Sequence, residues 1–136
     1  MIRCQLPHSR IRSASVLLAF ATLLGCGDDA LAPYQPQISN AADNFQLQAT
    51  NVSSVTTTAT YSWTNSGTRA TINHSTTTAA GSTLLIIKDA TGATVYSKAL
   101  SPSLNEPTTA GQAGTWSIQL TLTNYSGTLN FRAQKL

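Results

Sequence analysis

Few residues of this chain carry groups that could do chemistry. His74, Asp89 and Glu106 are the titratable side chains, well inside the body of the sequence, that acid–base catalysis would draw on. A Ser-His-Asp set can be written from His74, Asp89 and one of many serines, but no Gly-x-Ser-x-Gly elbow presents a nucleophile. A glycosidase needs two carboxyl groups facing one cleft, and Asp89 and Glu106 both fall in loop-like sequence. Calcium asks for several oxygen ligands, usually with more than one carboxylate. The 89–92 loop supplies only Asp89, which is expected to cap its own turn instead. His74 shares strand register with Ala70 and Ile72 and reads as a half-buried or rim histidine. The expectation is therefore a non-enzyme with no catalytic residue, no metal and no cofactor. Aromatic side chains offer a different chemistry. Tyr61 and Trp63 lie two apart on one strand face, about 6–7 Å along the strand, and could stack on a sugar ring as a short ligand platform. Tyr96 and Tyr125 are further candidates. Ala59 shares the face of Tyr61 and Trp63, so core packing competes for that pair.

The two cysteines have a different setting. Cys4 and Cys26 belong to an N-terminal segment that carries Arg3, Arg10 and Arg12 and continues through the apolar run 16–24. That run is too short to cross a bilayer, which takes about 20 residues, but it suits the apolar centre of a secretion signal. It ends in Leu23-Leu24-Gly25-Cys26, which resembles the bacterial lipobox. The resemblance implies cleavage between Gly25 and Cys26. A small residue lets the peptidase approach the bond, and the Cys26 thiol forms a thioether to diacylglycerol. It implies attachment to a membrane through an N-terminal lipid and a place in the bacterial cell envelope. Gly27 after the cysteine, where inner-membrane retention uses Asp, favours the outer membrane over the inner one. The other readings of the run are an ordinary secretion signal, in which the cysteine is incidental, and a short membrane anchor.

Cleavage would change the charge. The whole chain of 136 residues has a formal net charge of +3, but Arg3, Arg10 and Arg12 would leave with residues 1–25. Arg69, Lys88, Lys98, Arg132 and Lys135 would then face five acids, and the excess of positive charge disappears. The basic balance therefore gives no ground for a nucleic-acid partner. Cys4 would leave too, so the folded part has no thiol for a disulfide or a metal once Cys26 is lipidated. Only 10% of residues are charged and 41% are apolar, which excludes a charge-rich disordered chain and a coiled coil.

The remaining sequence must supply the scaffold. Residues 26–42 contain Pro33 and Pro36 and no periodicity, and read as the lipidated cysteine followed by a flexible tether; the alternative is that Tyr34 and Ile38 begin an edge strand. From residue 43 to 136 the period is two. Phe45, Leu47 and Ala49 alternate with polar residues, as do Ala59, Tyr61 and Trp63. Asn65-Ser66-Gly67 is turn chemistry and suggests a hairpin between 59–64 and 69–75. Residues 83–88 are apolar on both faces and read as a central strand, returned by 93–100 through a turn at 89–92. Residues 101–114 read as irregular. A last hairpin is expected between 116–123 and 129–134 around Tyr125-Ser126-Gly127. About seven strands and no significant helix point to an all-β domain, a single antiparallel β-sandwich of jelly-roll or Ig-like type. A closed barrel is the structural alternative, and Trp116 is expected to anchor the core.

Three stretches add a family likeness. Leu84-Leu85-Ile86-Ile87-Lys88-Asp89 with Gly92 and Val95-Tyr96 is the first. Ala113-Gly114-Thr115-Trp116-Ser117-Ile118-Gln119-Leu120 is the second, and Ser126-Gly127-Thr128-Leu129-Asn130-Phe131 the third. Together they resemble bacterial pre-peptidase C-terminal domains and the related P-domain jelly rolls. The likeness spans about 81–133 and implies a non-catalytic accessory module. The acidic residues that flank the matching strand in many such domains are missing here. The combined expectation is a binding or scaffolding module outside the cytoplasm, with a protein or glycan partner. The alternative is a carbohydrate-binding module that uses Tyr61 and Trp63 or other exposed aromatics.

Overall fold

The computed structural model describes residues 30–136; Gly25 and Cys26 lie outside them. A single 3-10 turn, Ala32–Tyr34, leads into seven strands: β1 Gln37–Ala41, β2 Asn44–Asn65, β3 Ala70–His74, β4 Thr77–Lys88, β5 Thr94–Lys98, β6 Leu104–Pro107 and β7 Gly114–Lys135. The domain is all-β, and every pairing is antiparallel. The strands form one open sheet in the order β1-β2-β7-β3-β6, with β4 on β7 and β5 on β4. Two separately hydrogen-bonded sheets, as a sandwich would have, are not what the pairing gives.

β2 and β7, each 22 residues long, run side by side through the whole molecule. Both bend at one level. The register slips between Ala49 and Thr57, where Asn51 and Ser54 take φ of 54° and 51°. Opposite them Asn124 has φ 45°. Left-handed residues in a strand insert bulges and sharpen its bend, and Asn is among the side chains that tolerate this region best. Two hydroxyls tie the bend: Ser126 Oγ accepts from the Ser54 amide at 2.9 Å, and Thr56 Oγ1 from the Asn124 amide at 2.8 Å. β4 bends alongside at Gly81, where φ is 75° and a Cβ would lie 2.2 Å from the Asn124 carbonyl oxygen. Gly127 is fixed in the same way, its Cβ direction ending 2.0 Å from the Thr77 carbonyl oxygen.

The bend divides the sheet into two halves. The first holds β1, β3, β6 and the stretches 44–49 and 129–135; the second holds β4, β5 and the stretches 57–65 and 114–123. Their apolar faces meet. Phe45 packs on Tyr61, sixteen residues further along the same strand, with ring centroids 5.4 Å apart. Trp63 donates its Nε1–H to the Ala41 carbonyl at 3.1 Å. Alternation of side chains thus serves the purpose a second sheet would serve: each half covers the other's core face. Trp63 and Trp116, paired across β2 and β7, pack edge to face at 5.9 Å, and both are buried.

Three expectations are corrected. Residues 59–64 and 69–75 do not form a hairpin: β3 pairs with β7 and β6 in the other half of the sheet. Asn65 turns the chain through its Oδ1, which accepts from the Gly67 amide, and the chain then crosses between the halves. Residues 116–123 and 129–134 are no hairpin either but one continuous strand, β7. The Tyr125-Ser126-Gly127 signal marks a bend and not a reversal, since bulges and turns draw on the same residue types. Finally, the expected tether is folded from at least Leu31, which is fully buried, and Gln37–Ala41 is the edge strand β1.

Candidate functional site

The aromatic platform is not offered to a ligand. Trp63 is 1% exposed and its ring N–H is spent on Ala41; Tyr61 is half-buried against Phe45. Tyr96 and Tyr125 are buried too, and their hydroxyls donate to Glu106 Oε1 and to the Thr77 carbonyl. The competing fate, core packing, is the one the structure shows.

Of the three titratable residues, His74 and Glu106 lie near one another beside Lys98, while the hydrogen bonds of Asp89 all go to its own loop and to Gln112. Asp89 caps its own loop: Oδ1 accepts from the Thr91 amide, the Thr91 hydroxyl and the Ala93 amide, and Oδ2 from the Gln112 amide. The Thr91 hydroxyl, chief among these donors, holds its carboxyl below the usual range against the opposing effect of burial. His74 is not a rim residue. It is 2% exposed, and neither ring nitrogen makes a hydrogen bond of good geometry. Burial pushes its pKa down; the Leu100 backbone and the Glu106 carboxylate oppose that shift, and Lys98 adds to it. Glu106 is held by Lys98 Nζ at 2.7 Å and by the Tyr96 hydroxyl, and Lys98 is the main reason its carboxyl ionises more readily than usual. Among the described residues no group of His, Cys, Asp and Glu is placed to hold a metal ion.

The outer face of the first half-sheet has a different character. Where the inward residues of β2, β7 and β3 are Phe45, Phe131 and Ile72, their outward neighbours are Gln46, Arg132 and Asn73. Registers align them into a row across the sheet: Asn105 on β6, Asn73 on β3, Arg132 on β7, Gln46 on β2 and Ser39 on β1. Two shallow clefts follow this row. One, of about 480 Å³, lies around Thr71, Asn73, Asn105, Arg132 and Gln134, with Asp43 and Lys135 at its end. The other, about 420 Å³, lies on Ser39, Gln46 and Gln48 beside Ile38, which is 42% exposed.

Charge on this face is uneven. Asp43 accepts from the Ser66 amide and hydroxyl and pairs with Lys135 Nζ at 3.0 Å. The Ser66 amide first, then Lys135, lowers its pKa to about 2. Lys135 is thus neutralised in place. Arg132 is exposed and, among the described residues, pairs with no carboxylate. The Gln46, Asn73, Asn105 and Gln134 side chains likewise carry no hydrogen bond to the described protein. What this arrangement can do chemically is donate and accept hydrogen bonds at regular steps around one cation. Sequence alternation already marks these residues as outward-facing; it does not reveal that β3 and β6 join β7 to line them up.

No protein-family model matches the chain, and no curated protein sequence matches it.

Proposed function

We propose that this chain is a lipoprotein of the bacterial cell envelope whose β-domain is a non-catalytic binding module. Lipid on Cys26, after cleavage at Gly25, would attach it to a membrane, the outer more readily than the inner. The described domain begins only a few residues further on, so its binding surface would stand close to that membrane. The observation that carries the binding role is the outward row of Asn105, Asn73, Arg132 and Gln46, whose side chains make no hydrogen bond or ion pair to another described residue. Four strands bring these residues into register beside clefts of several hundred cubic ångströms. The partner is a glycan or protein of the envelope, not a nucleic acid.

Two measurements test this. The full-length chain made in a bacterium should take up a palmitate analogue and fractionate with the envelope, and Cys26→Ser should abolish both. Persistent labelling of the variant would refute the anchor. Purified protein should bind an envelope glycan or protein through the outer face of the first half-sheet. Binding that survives combined Gln46→Ala and Asn73→Ala substitution would refute the binding surface.

A further inference from the structure

Resting on that reading of the polar face, we infer that its ligand is an acidic glycan whose carboxylate is taken by Arg132 and whose hydroxyls are taken by the amides in line with it. Three observations lead there. First, among the described residues the Arg132 guanidinium pairs with no carboxylate, whereas Lys135, a second cation at the end of this face, is held by Asp43. An exposed guanidinium presents a planar fork of donors that matches a carboxylate in two parallel bonds. Second, its neighbours in register, Asn73 and Gln46, are primary amides, each both donor and acceptor. That is the chemistry that reads sugar hydroxyls, which also give and take hydrogen bonds. Third, the row runs across the strands, so its groups repeat at the strand spacing of about 4.8 Å. One sugar residue of an extended glycan advances by a similar length, so successive residues of the chain would meet successive strands. The large aromatics are committed to the core, so recognition here works through hydrogen bonds and one charge, not through ring stacking.

Calorimetry of the lipidated protein, purified from the envelope in non-ionic detergent, tests the inference, with oligogalacturonate as probe, neutral cello-oligomers as control and polyglutamate as the acidic-peptide control. Oligogalacturonate should bind and cello-oligomers should bind at least tenfold more weakly. Arg132→Ala should weaken oligogalacturonate by about tenfold or more, the loss expected for one charge-assisted hydrogen-bonded contact. Arg132→Lys, which keeps the charge without the fork, should fall between. Added salt should weaken binding. Arg132 is exposed, so both variants should fold, and circular dichroism checks that they do. Equal binding of neutral and acidic glycans would overturn the acidic preference while leaving a glycan-binding module. Equal or tighter binding of polyglutamate would overturn the glycan. Binding unaffected by Arg132→Ala would overturn the site. Absence of binding to all three probes would overturn the inference, and the Cys26 labelling would then stand or fall by itself.

Discussion

Acidification should destabilise this fold through His74. The ring is 2% exposed and neither nitrogen is satisfied by a good hydrogen bond, so the folded state prefers it uncharged. Its pKa is accordingly lowered from 6.5, burial being the main cause. The groups that act on it are the Leu100 backbone, Glu106 on β6 and Lys98 on β5. Well above pH 6.5 the imidazole is neutral in both states and contributes no pH dependence. Below it the unfolded chain binds a proton that the folded chain resists, so stability falls as pH drops until the folded pKa is reached. The slope for one proton reaches at most about 1.4 kcal/mol per pH unit. His74→Leu puts an apolar side chain of similar size at this buried position and gives up no hydrogen bond of good geometry. It should be neutral or stabilising, and it should remove this component. Urea denaturation of both proteins between pH 8 and 5 provides the comparison. The difference in unfolding free energy between variant and parent should grow as pH falls. Parallel curves, or a His74→Leu protein that loses more than about 2 kcal/mol at pH 8, where cavity and packing losses would dominate, would refute the reasoning.

Trp116→Ala should cost about 3–5 kcal/mol in equilibrium unfolding, because the ring is fully buried against Trp63 and its Nε1–H bonds the Gln112 carbonyl at 2.7 Å; a cost below about 1 kcal/mol would contradict its place. Gly127→Ala should cost more than about 1 kcal/mol, since φ is 148° and the new Cβ would meet the Thr77 carbonyl. A change within error in thermal or urea midpoint would argue against the bend there. The Asp43 carboxyl should titrate near pH 2 by NMR. Its folded pKa is lowered, so its stabilising effect is complete above about pH 4 and disappears as pH falls through about 2; Lys135→Met should move the titration upward.

Period-two alternation made the core legible. Phe45, Leu47, Trp63, Trp116, Ile118, Leu120 and Phe131 are all buried, and an all-β fold follows from them. The β4–β5 hairpin was equally readable, because Asp89 and Gly92 make a tight reversal between two apolar runs. The topology was harder to read for a physical reason. A bend in a continuous strand and a reversal between two strands recruit the same residues. Asn124 and Gly127 accept positive φ in either case, and local sequence does not say whether the chain turns by a right angle or doubles back. Long-range pairing decides, and here it joins Asn73 to Arg132 across 59 positions. The candidate site depends on that pairing. Outward amides can be picked out by alternation, but their alignment into one row exists only once β3 crosses to β7. His74 shows the same limit: its register with Ile72 places it on the inward face, while the pairing of β3 with β6 opposite Leu104 and the Leu100 backbone beside the ring are long-range features that alternation does not reveal.

The pairing of β3 is therefore the point to measure. Nuclear Overhauser contacts between backbone protons should link Asn73 with Arg132 and with Asn105, as the register requires. That result would establish the sheet that carries the row of polar groups. Contacts instead between residues 69–75 and 59–64, the hairpin that the Asn65-Ser66-Gly67 turn suggests, would contradict the fold and dissolve the binding face built on it.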